Sequence, residues 1–364
     1  MSIDPQNESA AARLSGDTDA SGRIISDDGD VAEAAPAPSR VTLRKQYEPS
    51  WLHTITSKYA LVVVWFVMAL VFYALMPDKF GTGAAFTSIF GSQQVLVFLA
   101  MAALVTLVVG EFDLSIASIM GLSATMVTVL AGLHGVNIWV AVAIALAASV
   151  ICGAVNAFFV VVLEVSSFVV TLGTGTLLLG LAEFISGSNI VSVSNDAFSN
   201  LSNYRILGMP ASFYYGIALG LIIAYILAFT PLGRHMIFVG SSREVARLAG
   251  IPVQGIRAGA YMVGGLLSGM AGVILVSTVG GFSSSSATIY LLPALAAVFL
   301  GTAVVQPGMF NPIGTLIAIY FLATGIFGLQ LLGFSGWIQN VFYGAGLVIA
   351  VALAKIVRNR AGSA

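Results

Sequence analysis

The sequence predicts an all-α membrane protein of about ten transmembrane helices behind an acidic, disordered N-terminal tail. Three observations carry this. Of 364 residues, 58% are hydrophobic and only 9% charged, more apolar surface than a soluble domain of this size could hide. Several apolar runs reach the roughly 20 residues a helix needs to cross the hydrocarbon core. The positive charge is gathered in one place. From Phe80 to Ala354 there are five Lys or Arg residues, and Arg234, Arg243, Arg247 and Arg257 lie in one segment, with only Arg205 outside it. A β-barrel would show short strands of alternating polarity, which are absent.

Residues 1–50 hold nine of the sixteen acids and no aromatic residue before Tyr47, the composition of a disordered tail. The first apolar run begins near Tyr59 and has no small-residue cleavage site after it, unlike a signal peptide. The remainder, 51–364, forms the transmembrane domain. Its spans are expected at 59–76, 93–110, 114–131, 137–163, 167–185, 213–230, 258–279, 287–305, 312–332 and 335–356. Residues 81–92 read as a re-entrant turn or an extension of the second span. Pro293 is expected to kink the eighth span, which membrane helices tolerate. Cys152, the single cysteine, excludes a disulfide within the chain and reads as a small buried packing residue.

Ten spans with a cytoplasmic N-terminus put thirteen of the fifteen Lys and Arg residues inside, leaving Lys79 and Arg205 outside, as the positive-inside rule requires. Both termini then face the cytoplasm. Residues 186–212 form the longest outside loop, and the charged segment 231–257 the longest inside one.

That inside loop has local order of its own. Ser241-Ser242-Arg243-Glu244 reads as a capping box, Gly250 as the left-handed stop, and Pro252 follows it. Between them lies a helix of about two turns. Arg243 and Arg247, four apart, share one face, and Val245, Leu248 and Ala249 offer the other. So short a helix is marginal alone, so something must pack on it.

At this point the chain resembles a family. RxxxxVGSSREVARLAGIPV, followed by YMVGGLLSGMAGVILVS, is similar to the cytoplasmic coupling loop of bacterial ABC-importer permeases of the ribose/xylose/arabinose type. The resemblance recurs in VVGEFDLSIASIMGLSA, GAVNAFFVVVLEVSSFVVTLGT and ALAAVFLGTAVVQPGMFNPIGTLI, and covers about residues 60–356. It implies a type II ABC-importer permease fold in the bacterial inner membrane. It also implies that Ser241, Arg243, Glu244, Ala246, Arg247, Leu248 and Gly250 dock in a cytosolic ATPase. A permease homodimer with the path along its two-fold axis, and an external solute-binding protein, follow from the same resemblance. Glu111 stands where the family usually has a second glycine, and Ser166-Ser167 where relatives often have proline.

The chain has no ATP-hydrolysing motif of its own. A phosphate-binding loop needs Gly-Lys-Ser/Thr, and Lys45, Lys58, Lys79 and Lys355 are none of them preceded by glycine. Energy must then come from a partner or from an ion gradient, and the resemblance implies ATP and magnesium bound in a partner ATPase. The three histidines, His53, His134 and His235, match no zinc spacing, so no catalytic or metal residue is assigned. Membrane lipid is an expected partner and nucleic acid is not.

Ionisable groups near a span are costly and default to functional candidates, which singles out Glu111 and Asp113. Asp113 could instead cap a helix starting at Leu114. Ser115, Asn156, Thr171, Gly173 and Thr174 fit the family's motifs and could line or gate the path, or serve close helix packing. Gly265, Gly269 and Gly272 with Ser268 form a small-residue stripe for packing. Without a mid-span Lys or Arg to neutralise an anion, the expected solute is small, neutral and polyhydroxylated, a monosaccharide or sugar alcohol. A nucleoside or amino-acid permease is the nearer alternative. An ion-coupled secondary transporter using Glu111 or Asp113 is the alternative from another class.

Overall fold

A computed structural model describes residues 51–362; the acidic tail expected over 1–50 lies outside the described residues. α1 (Trp51–Leu75) is followed by α2 (Pro77–Phe80), opened by a proline whose missing N–H has no partner in a first turn. Thr82 caps α3 (Gly83–Gly91), accepting from the Ala85 amide at 3.1 Å. A break at Ser92 and Gln93 separates it from α4 (Gln94–Val108). Residues 81–92 thus extend the second span as a separate helix.

α5 (Ile116–Thr128) and α6 (Ile138–Ala157) each run on into a π turn, Val129–Leu133 and Phe158–Val162. α7 (Ser167–Ser186) precedes the short α8 (Asp196–Asn203) and α9 (Ala211–Phe229). Then come α10 (Pro231–Ser241), α11 (Arg243–Leu248), α12 (Val253–Val279), α13 (Leu291–Gly301), α14 (Pro312–Leu331) and α15 (Trp337–Gly362). Among the described residues, eight helical segments are long and apolar enough to cross a membrane. Two shorter apolar stretches, Tyr59–Leu75 and Trp337–Ile349, flank them.

Four two-residue strands close the end away from the charged segment. β1 (Val191–Ser192) pairs antiparallel with β4 (Gly281–Phe282), and β2 (Arg205–Ile206) with β3 (Met209–Pro210).

The core is built around two helices. Every residue of α4 is buried, as expected of a helix that is apolar all round. α12 packs on α4, α5 and α6, and its small residues make this possible. A side chain at Gly265 or Gly269 would meet Ser149 of α6, and one at Gly272 would meet the Met120 carbonyl of α5. The Ser123 hydroxyl donates to the Gly269 carbonyl at 2.9 Å. The small-residue stripe does the packing its composition predicts. Around this centre, Phe66, Leu177, Phe184 and Phe229 are exposed, an apolar surface that suits lipid.

Several local expectations need correction. Pro293 does not interrupt a continuous α-helix, because it lies in the first turn of α13, where the amide has no helical partner to lose. Two 3₁₀ turns, Ser284–Ser286 and Thr288–Tyr290, lead into that helix. The cap of α11 is Ser242 and not Ser241. Ser241 still belongs to α10, whereas Ser242 is extended (φ −158°, ψ 110°) and its hydroxyl accepts from the Val245 amide at 3.4 Å. Glu244, one residue short of the reciprocal position, stays exposed. Cys152 is half-buried rather than buried, packed beside Ile119, Leu122, Leu178 and Ala182.

A buried ionic and hydroxyl network as the candidate functional site

The connection between α4 and α5 is the centre of the site. Gly110 (φ 78°) turns the chain out of α4. The next residues then alternate as an extended chain does, with Glu111, Asp113 and Ser115 buried and Phe112 facing out. The first two turns of α7 hold this segment: the Phe112 amide donates to Ser167 Oγ at 3.4 Å and the Leu114 amide to Thr171 Oγ1 at 3.1 Å. The match is geometric. Four residues of helix rise about 6 Å, close to the roughly 6.6 Å spanned by two residues of extended chain.

Glu111 collects charge from elsewhere in the chain. Its Oε1 accepts from Arg257 Nε at 2.6 Å and from Arg243 Nη2 at 2.8 Å. The Tyr261 hydroxyl lies 3.4 Å from Oε2 and 3.3 Å from the Phe112 carbonyl. Glu111 and Arg257 are buried, while the Arg243 side chain is 43% exposed. Arg243 Nη2 also donates to the Gly110 carbonyl at 3.0 Å. Buried charges must be paired and hydrogen-bonded, and these are. The two arginines open α11 and lie in the first turns of α12, so one carboxylate ties both helices to the end of α4.

Two residues further on, a second network begins. Asp113 Oδ1 accepts from the Ser115 amide at 2.9 Å and from its hydroxyl at 2.6 Å. Asn156 Nδ2 donates to Ser115 Oγ at 2.8 Å, and Thr174 Oγ1 donates to Asn156 Oδ1 at 2.8 Å. Every donor in this chain points toward the Asp113 carboxyl. Asp113 Oδ2 is buried and has no hydrogen-bond partner. Asp113 is therefore not the cap of a helix starting at Leu114. The helix starts at Ile116, and Asp113 stabilises the turn leading into it.

Burial pushes the Asp113 carboxyl above its usual value of 3.8, and the bonds from Ser115 pull it partway back. A folded-state value raised above the unfolded one means that the folded chain binds the extra proton. The stability this contributes is fully present below about pH 4 and is lost as pH rises through the folded value. Asp113→Asn, which keeps a neutral group in place, is expected to flatten this slope. Melting temperature measured from pH 4 to 8 on both proteins checks it, since equal slopes would remove Asp113 as the source.

Of the path residues expected from sequence, Asp113, Ser115, Asn156, Thr171 and Thr174 converge here. Gly173 does not: it is exposed on α7, with no atom within 4 Å of where a side chain would begin. Of the residues expected from sequence to dock a partner, Ala246 is buried and anchors α11, whereas Ser241, Glu244, Arg247, Leu248 and Gly250 are exposed. Arg243 departs from the expected shared face with Arg247 and turns inward to Glu111. Arg257, Tyr261 and Ser167 are members the sequence reading missed. The available signal was Glu111 itself, because a buried carboxylate needs a cation and the charged segment holds four of the five candidates.

Comparison with known proteins bears on what this arrangement serves. Residues 85–351 match the family described as branched-chain amino acid transport system / permease component. The ribose import permease protein of Escherichia coli is 31% identical over 317 residues, covering 85% of this chain and 96% of that protein. The autoinducer 2 import system permease protein of Shigella flexneri is 32% identical over 251 residues, covering 67% of this chain and 76% of that protein. No solved structure gives a significant match. A membrane-spanning bundle of this kind, matched over most of its length, belongs to that permease family, and the chain is a multi-pass permease subunit of an ABC importer.

Proposed function

We propose that the chain is the translocation subunit of an importer for a monosaccharide or a similarly small, neutral, polyhydroxylated solute, and that α11 is where a cytosolic ATPase holds it. The exposure of α11 carries the docking reading. It is six residues long, its Ala246 is fully buried, and Leu248 beyond it is 88% exposed beside the exposed Arg247. A helix this short is not stable by itself, and an exposed leucine next to an exposed guanidinium is what a partner would cover. The ribose and autoinducer 2 import permeases among the relatives favour the solute class over a nucleoside or amino acid. Energy comes from ATP and magnesium in the ATPase, the solute arrives on an external binding protein, and two copies of the permease enclose the path in a bacterial inner membrane. Both termini and the 231–257 loop face the cytoplasm in this arrangement.

Because Arg243 is engaged internally, Arg247 is the residue whose change tests docking. Arg247→Glu is expected to abolish co-purification of the ATPase and to lower ribose uptake at least tenfold (about 1.4 kcal/mol), with unchanged yield of folded permease. Ribose accumulation by the chain reconstituted without any ATPase, against an ion gradient, would overturn the reading.

A further inference from the structure

Glu111 receives two guanidinium groups of unequal accessibility, and that inequality has a mechanical meaning. Arg257 is buried, with a side chain only 10% exposed, and its Nη2 also lies 3.4 Å from the Val160 carbonyl. Arg243 is the first residue of α11 and its side chain is 43% exposed. Separating Arg243 from Glu111 leaves the carboxylate paired with Arg257, so no buried charge is stranded. Separating Arg257 would not be equivalent, since that guanidinium would remain in the interior.

The backbone around this contact is tightly seated. A side chain at Gly240, the penultimate residue of α10, would meet the Val108 carbonyl, and Gly110 N lies 3.3 Å from that position. The α10–α11 junction therefore rests directly on the end of α4. Arg243 grips both the Gly110 carbonyl and the Glu111 carboxylate. Asp113, two residues along the same connection, anchors the hydroxyl chain to α6 and α7.

We propose that Arg243–Glu111 is a releasable latch through which the docking helix α11 sets the position of the 110–115 connection, and with it the entrance of α5. Arg257 keeps Glu111 in place when the latch opens. Glu111 is a positioning residue: it is 3% exposed in its side chain and acts through Arg243. The latch rests on the reading of α11 as the ATPase-docking element.

Hydrogen–deuterium exchange on the full-length permease tests it, with the co-purifying ATPase, in nanodiscs, before and after trapping with ATP and vanadate. Exchange at 241–251 reports docking, and exchange at 110–116 reports the latch. In the unaltered chain both segments are expected to change on trapping. In Glu111→Gln and in Arg243→Gln the 241–251 change should persist while the 110–116 change falls at least threefold. Arg243→Lys, which keeps a cation at the latch, should restore most of it. Arg243→Gln leaves Glu111 paired with Arg257 and so keeps the result readable if Glu111→Gln does not fold. An undiminished 110–116 change in Arg243→Gln overturns the latch. No change at 241–251 in the unaltered complex overturns the docking reading instead.

Discussion

Arg257→Met is expected to destabilise the permease by about 3–5 kcal/mol, the usual cost of removing one partner from a buried ion pair. Glu111 would keep only the half-exposed Arg243 and the distant Tyr261 hydroxyl, and its desolvation would no longer be offset. Thermal unfolding in detergent should show this as a fall of at least about 6 °C. Arg243→Gln is the internal comparison. Its guanidinium is partly in solvent, where ion pairs contribute about 1 kcal/mol or less, so its melting temperature should stay near that of the unaltered chain. The double change Glu111→Met with Arg257→Met removes both buried charges and should recover part of the loss. Equal effects of the two arginine changes would mean that the carboxylate does not distinguish them, and the asymmetry described here would be wrong.

Gly265→Leu is expected to prevent folding. The side chain of any residue at 265 would meet the Ser149 carbonyl of α6, with Gly153 N and Cα 3.2 and 3.3 Å from its first carbon. Gly153 is the facing partner: a side chain there would meet the Tyr261 carbonyl, with Met262 Cα at 3.0 Å. Two backbones in contact leave no room to relax, so the cost should exceed the 1–3 kcal/mol typical of an overfilled core. Size-exclusion chromatography should show aggregate in place of the folded peak. Gly259 lies on the same helix with nothing within 4 Å of its would-be side chain. Gly259→Ala should therefore be neutral or stabilising by up to about 1 kcal/mol. A folded Gly265→Leu protein would show that α6 and α12 are not held this closely.

Much of the fold follows from one-dimensional patterns. Apolar runs place the long helices, and Gly250, in the left-handed region at φ 77°, marks the stop after α11 where composition puts it. Boundaries were harder, for definite reasons. Two serines stand side by side at 241–242, and only the path of the backbone decides which one leaves the helix to cap the next. Pro293 reads as a kink in a long span, yet becomes harmless once the chain enters α13 through 3₁₀ turns. The candidate site divides in the same way. Asp113, Ser115, Asn156, Thr171 and Thr174 could be picked out because polar side chains among apolar residues are costly and so conspicuous. Arg257 and Tyr261 were not, since each contacts Glu111 across about 150 residues of chain and no local pattern encodes that.

The sequence by itself determined the solvent, the fold class, the short helix of the charged segment and the family, because hydrophobic length, helix-stop chemistry and motif spacing are local properties. Only the tertiary structure decided where the charges go. Arg243 and Arg247 look equivalent along the chain, four residues apart on one short helix. Their difference arises because α10 seats on the end of α4 at Gly240 and brings the first residue of α11 within reach of a carboxylate that burial obliges to find a cation.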